Sequence, residues 1–185
     1  MHGEKDPSTD FPLTTIVSGG QTGVDRAALD VAISLKIPHG GWCPRGRKAE
    51  DGRIPDRYKL RETDGSAYRI RTEKNVLDSD GTLVLYRSRL QGGTDLTVRF
   101  AKQHGKPIMI VKLDGDPDTA QVGRWIRENQ VARLNVAGPR ESSHPGIAED
   151  VAEFLTAAIQ PFLTVSSDNV AGGLRLEASG RDGFA

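Results

Sequence analysis

Two glycine corners and one cationic stretch are the places where this sequence could do chemistry. Gly19, Gly20 and Gly23 fall in "SGGQTGVDR", and Gly92, Gly93 and Thr94 fall in "QGGTDLT". Each corner follows a short apolar run and precedes residues of helical period. A bare backbone there can take positive φ and approach a ligand closely. The helix turn that follows presents unpaired N–H groups and a positive dipole end, which suit a phosphate or another anion. The plainer reading of either corner alone is that glycine permits a tight turn. Two such corners at one edge of a sheet favour a shared cleft.

Asp25 and Arg26 stand just past the first corner. A carboxylate in the first helical turn satisfies the dipole itself and repels a bound phosphate. Either Asp25 caps the helix and points away, or its charge is offset by Arg26 or by a cation arriving with the ligand. Further on, Arg45, Arg47, Lys48 and Arg53 gather beside Glu50 and Asp51. Arginine forks match phosphate in two-point contacts, although such a loop can equally pair its own charges. Trp42 could stack on a flat ring or fill the core. Cys43 could meet a soft metal or lie buried as a structural thiol. Asp78 and Asp80 could be catalytic or serve as turn acids.

Several chemistries are excluded by spacing. The first corner reads Gly-Gly-x-x-Gly rather than Gly-x-Gly-x-x-Gly, and His39 stands where a ribose-gripping acid is expected, about 20 residues on. No Lys-Ser or Lys-Thr pair follows, so the corner is not a P-loop. Neither NAD nor nucleoside triphosphate hydrolysis is expected. His2, His39, His104 and His144 lack metal-ligand spacing, and no metal site is expected. No Ser-His-Asp set or paired-carboxylate set can be assigned from order alone.

The elements that would position these residues come from the whole chain. Its 185 residues suit one domain, and 25 basic against 25 acidic side chains argue against general nucleic-acid binding. The single cysteine points to a reducing compartment. No apolar run approaches the roughly 20 residues needed to cross a bilayer, so no membrane partner is expected and the protein is read as cytoplasmic. Residues 1–13 read as a polar, flexible arm, 14–163 as the ligand-binding domain, and 164–185 as a disordered tail.

Within the domain a strand is expected over Thr14–Ser18. A helix follows, starting at Gly23, with Thr22 and Asp25 spaced as a capping box and an apolar stripe from Val24 to Leu35. A short strand ends near Cys43, and the charged stretch from Pro44 to about Arg69 reads as a long functional or mobile loop. Thr72 could cap a short helix carrying Val76 and Leu77. Strands at Gly81–Arg87, Pro107–Leu113 and Arg133–Ala137 alternate with helices at Thr94–His104 and Thr119–Glu128. The last helix has Pro145 in its first turn. Such alternation implies a three-layer, Rossmann-like α/β domain with a mostly parallel sheet of about five strands. Its ligands would bind at the carboxyl edge.

The blocks "SGGQTGVDRAALD", "GGWCPRGRKAEDGRIPDRY", "RTEKNVLDSDGTLV" and "GGTDLT" together resemble the putative molybdenum carrier family, from about Thr14 to Phe162. That family is similar to the molybdenum cofactor carrier proteins and to the lysine-decarboxylase-like phosphoribohydrolases. The resemblance implies a cleft for the molybdenum cofactor as cargo, or for a related small phosphate-bearing ligand, and it implies a homo-oligomer. It carries over Gly19, Gly20, Gln21, Thr22, Gly23, Asp25 and Arg26 as the first loop. Arg45, Gly46, Arg47 and Lys48 match the second block, Arg71 and Asn75 the third, and Gly92, Gly93 and Thr94 the last.

In the phosphoribohydrolase relatives the second glycine motif ends in a glutamate that supports N-glycosidic cleavage. Here the run "GGTDLTVRF" offers Asp95 instead. The leading expectation is therefore a binding and delivery protein rather than an enzyme, with no catalytic residue assigned. The alternatives are a nucleoside 5'-monophosphate phosphoribohydrolase and a nucleotide-sensing module that docks on a protein.

Overall fold

The computed structural model describes residues 12–171, with side chains through Leu163. Nine strands and five helices follow one another among these residues. They are β1 (Thr15–Val17), α1 (Val24–Ser34), β2 (His39–Gly40), β3 (Trp42–Cys43), β4 (Lys48–Ala49), β5 (Gly52–Arg53), β6 (Arg61–Glu62), α2 (Tyr68–Leu77), β7 (Gly81–Tyr86), α3 (Gly92–Gln103), β8 (Ile108–Lys112), α4 (Thr119–Glu128), β9 (Arg133–Ala137) and α5 (Ile147–Ala171).

The main sheet has five strands in the order β2-β1-β9-β7-β8, and every pairing in it is parallel. This is the three-layer α/β architecture that the alternation of elements implies. Helices α1, α4 and α5 cover one face over a core that includes Ile16, Ala28, Leu134, Ile126 and Leu155, all buried. On the other face α2 packs on α3, with Val76, Phe100 and Ala101 buried between them and the sheet. Parallel strands covered on both faces read as nearly continuous apolar runs, and β7, "GTLVLY", is buried from Gly81 to Leu85.

The chain leaves β1 toward β2 on one side and leaves β7 toward β8 on the other, with β9 between them. Crossovers that diverge in this way open a crevice at the carboxyl ends of the strands. Both glycine corners and the turn after β9 stand at that edge.

Local chemistry differs from expectation in four places. Helix α1 starts at Val24, but no capping box forms: Gly23 is the N-cap without a side-chain hydrogen bond. Thr22 donates its hydroxyl to Glu50, and Asp25 pairs with Arg71. Thr72 lies inside α2 and donates to the Tyr68 carbonyl at 2.9 Å, while Ala67 is the N-cap. Pro145 precedes α5 rather than entering its first turn, and the helix is continuous past Thr164 to Ala171. The rest of the stretch read as a tail, 172–185, and residues 1–11 of the arm lie outside the described residues.

The stretch from Pro44 to Arg69 contains the β4–β5 hairpin and β6, which pairs in parallel with β3 just before the stretch begins. Aperiodic sequence hides this order because side chains and single carbonyls hold it, not a long ladder. Arg47, 7% exposed, donates to the carbonyls of Ile54, Pro55, Tyr58 and Leu60 at 2.9–3.2 Å. Cys43, Ile54, Tyr58 and Leu60 pack with Leu29 of α1 into a small second core.

A candidate anion-binding cleft

A cleft of about 460 Å³ opens at the carboxyl edge of the sheet. Its walls come from the first glycine corner (Gln21, Asp25), from α2 (Tyr68, Arg71, Thr72), from the second corner (Arg89 and Gln91 to Thr94) and from the turn after β9 (Ala137 to Arg140, Ser143, His144). Volumes of this order hold a nucleotide-sized molecule.

The two glycine corners serve different ends. At Gly92 and Gly93 an added Cβ would meet nothing within 4 Å. Both are exposed, Gly92 has φ 54°, and α3 begins there without a side-chain cap, so the N–H groups of Gly92 and Gly93 have no intrahelical partner while that of Thr94 donates to the Gln91 carbonyl at 3.1 Å. At the first corner the space beside each glycine is filled by protein. A Cβ on Gly19 would overlap the Arg71 guanidinium, and one on Gly20 would strike Leu60 and Ile54. Gly23, with φ 74°, lies against the backbone of Pro139 to Glu141. The first corner is bare so that α2, the 44–69 stretch and the turn after β9 can close on it.

Charge in the cleft is predominantly positive. Arg89 and Arg140 are exposed at its mouth, and Arg71 is largely buried in its wall. Arg71 Nη1 donates to Asp25 Oδ2 at 3.0 Å. Burial pushes the Asp25 carboxyl above its ordinary value, against the pull of Arg71, of the Gln21 backbone N–H and of Arg140. Arg140 also lies over the Tyr68 ring, 5.2 Å from its centroid. Arg87 fixes the mouth by bonding Asp150 Oδ2 at 2.7 Å and the carbonyls of Pro145 and Gly146, which ties the loop after β7 to the loop before α5. Ser88 and His144 meet across the same seam at 3.1 Å.

The residues singled out from sequence divide among several places. Gln21, Asp25, Arg71, Gly92, Gly93 and Thr94 line the cleft. Gly19 lines a small hollow behind it with Asp25, Arg71 and Asn75. Thr22, Gly23 and Arg26 face a separate, more open hollow beside Glu50 and Asp51, where Arg26 forms an ion pair with Asp51. Arg45 and Lys48 are exposed on the 44–69 stretch, and the Gly46 N–H donates to Glu62 at 2.5 Å. Asn75 pairs with the Trp42 backbone as a strand would, accepting its N–H at 2.7 Å and donating to its carbonyl at 3.1 Å.

Trp42 donates Nε1–H to Asp78 at 2.6 Å, with Arg61 and Lys74 over its ring. Asp80 receives the N–H groups of Ala132 and Arg133. Cys43 is buried, and burial raises its thiol. Among the described residues no group of three or more His, Cys, Asp or Glu side chains could hold a metal ion, and no helix is long and apolar enough to cross a membrane.

Tyr68, Arg89, Arg140, Ser143 and His144 line the cleft without having been singled out for it. A signal existed for Arg140: "NVAGPR" repeats the pattern of an apolar strand ending on glycine.

Comparison with known proteins agrees with this architecture. Residues 16–159 match the model of the circularly permutated YpsA SLOG family. A solved structure described as a putative molybdenum carrier protein from Syntrophus aciditrophicus SB is 44% identical, covering 83% of this chain and 99% of that one, with a TM-score of 0.79. No curated protein sequence matches the chain significantly.

Proposed function

This chain belongs to the circularly permutated YpsA SLOG family, and on that premise we propose that it binds and delivers the molybdenum cofactor, a phosphorylated pterin, or a close phosphate-bearing relative. One observation carries the reading: the uncapped N-terminus of α3 at Gly92 and Gly93 shares a single cleft with Arg71, Arg89 and Arg140. Guanidinium groups keep their charge across the physiological range and grip phosphate in two-point contacts. Open helix N–H groups add donors and a favourable dipole. The 44% identical neighbour, described as a putative molybdenum carrier protein, supports the choice of cargo.

In this reading the protein grips the phosphate and the ring system, and the metal stays on the cofactor's own sulfurs. The second-corner acid, Asp95, is paired with Arg99 at 2.8 Å along α3. Delivery without chemical change is therefore preferred to N-glycosidic cleavage. The carrier is proposed to act in the cytoplasm and to self-associate.

Isothermal titration with the cofactor or its metal-free phosphorylated pterin tests the reading. Wild-type protein should bind, and the Arg89→Ala, Arg140→Ala double variant should bind at least about tenfold more weakly. A wild type that takes up neither ligand ends the carrier reading. Release of free base from adenosine monophosphate would replace it with the hydrolytic one.

A further inference from the structure

The inner wall of the cleft is equipped for more than a phosphate. Gln21 is 4% exposed, and its Oε1 accepts the N–H groups of Thr22 and Glu50, both at 3.0 Å. Two donors on the oxygen fix the amide's orientation, so Nε2 must be a donor. That Nε2 is buried and has no hydrogen-bond partner among the described residues. Arg71 Nε, in the same wall, is in the same condition. Buried donors are nearly always satisfied in folded proteins, and exceptions call for an explanation.

Asp25 stands beside them. Its carboxylate takes Arg71 Nη1 at 3.0 Å, and a carboxylate has about four lone-pair directions to fill. Unused acceptor capacity therefore adjoins an unused donor. Tyr68, 40% exposed, lines the same cleft, with the Arg140 and Arg71 guanidinium groups 5.2 and 5.8 Å from its ring centroid.

We propose that Asp25 and Gln21 read the 2-amino-4-oxopyrimidine edge that pterins and guanine have in common. The ring N–H and the exocyclic amino group donate to the Asp25 carboxylate, and the oxo group accepts from Gln21 Nε2. The inference rests on the phosphate-binding reading above, which places the ligand's phosphate at the α3 end of the cleft. Adenine presents one ring acceptor and one amino donor on the corresponding edge, and it leaves this arrangement unmatched. Sites that hydrogen-bond a ligand edge reject analogues lacking it strongly, because the buried groups are then unpaired.

The test is a titration series on the wild-type protein with 6-(hydroxymethyl)pterin phosphate, guanosine monophosphate, inosine monophosphate and adenosine monophosphate. The pterin phosphate or the guanine nucleotide should bind at least about tenfold more tightly than the adenine nucleotide. Inosine monophosphate, which lacks the amino group, should fall between guanine and adenine. Which of the first two is tighter identifies the source of the edge. Asp25→Asn should bring all four ligands to similar affinity.

Equal or tighter binding of adenosine monophosphate to the wild type overturns the inference, and so does a preference that survives Asp25→Asn. If that variant does not fold, the wild-type series decides alone. Binding of all four ligands without preference removes this inference and leaves phosphate capture standing. Binding of none removes both.

Discussion

The guanidinium of Arg71 lies across the bare backbone of Gly19, in the space that a side chain at residue 19 would need. From there it reaches Asp25 Oδ2 at 3.0 Å, joining α2 to the first turn of α1. Gly19 thus serves the cleft indirectly, by making room for the arginine that forms part of its wall.

Replacing Gly19 with alanine should therefore displace Arg71 and separate it from Asp25. Overpacking of this kind costs about 1–3 kcal/mol. Chemical denaturation should show the loss, together with weaker ligand binding. Wild-type stability in Gly19→Ala would mean that Arg71 can leave the site at no cost, which contradicts the packing described.

Gly93→Ala should behave in the opposite way. Its Cβ meets nothing within 4 Å, and the residue lies in the first turn of α3. Alanine suits a helix better than glycine by up to about 1 kcal/mol, so the melting temperature should hold or rise. Affinity for a phosphate-bearing ligand should fall, because the methyl group stands where the anion is proposed to approach. Unchanged affinity would move the anion away from this corner.

Arg47 should prove a structural residue. Its side chain satisfies four carbonyls between Ile54 and Leu60. Arg47→Ala leaves buried acceptors unpaired and should cost about 2–4 kcal/mol. Limited proteolysis should cut the 44–69 stretch first. Resistance equal to wild type would show that the stretch holds without it.

Two carboxylates should give opposite pH dependence. Burial raises Asp25 above its ordinary 3.8, so the folded state holds that proton longer than the unfolded state. By linkage, stability falls as pH climbs through the window between 3.8 and the raised folded value. Asp25→Asn should gain stability relative to wild type across that window and keep the gain at neutral pH. Glu50 is held below its ordinary 4.5: burial works upward, and hydrogen bonds from Ser142 and Thr22 outweigh it. Its contribution is present above 4.5 and is lost as pH falls through the lowered value. Thermal melts of Asp25→Asn and Glu50→Gln from acid to neutral pH check both signs, and parallel curves would contradict them.

The architecture was legible because the strands that matter are covered on both faces. "GTLVLY" reads as an apolar run, and the helices between strands keep a clean stripe, so alternation alone implied the parallel sheet. Glycine corners were visible for the same local reason. What each glycine makes room for was not visible. Arg71, Leu60 and Pro139 lie far along the chain from Gly19, Gly20 and Gly23, and local pattern carries no record of such meetings. Arg47 shows the same limit. A guanidinium reads alike in sequence whether it meets a phosphate or a ring of carbonyls, and here its partners depend on turns that have no period. Arg140 carried a local signal in "NVAGPR", but that its turn and His144 reach the cleft follows only once β9 is known to be the middle strand.

That middle position has a consequence for biosynthesis. β9 is the last of the described strands to be made, yet it stands between β1 and β7 and pairs with both. Until it emerges from the ribosome, the β1–β2 and β7–β8 pairs are separate half-sheets with unpaired edges, and such edges recruit other chains. Pulse-labelled hydrogen exchange during refolding should show amides of β1 and β7 gaining full protection together, at the moment β9 inserts.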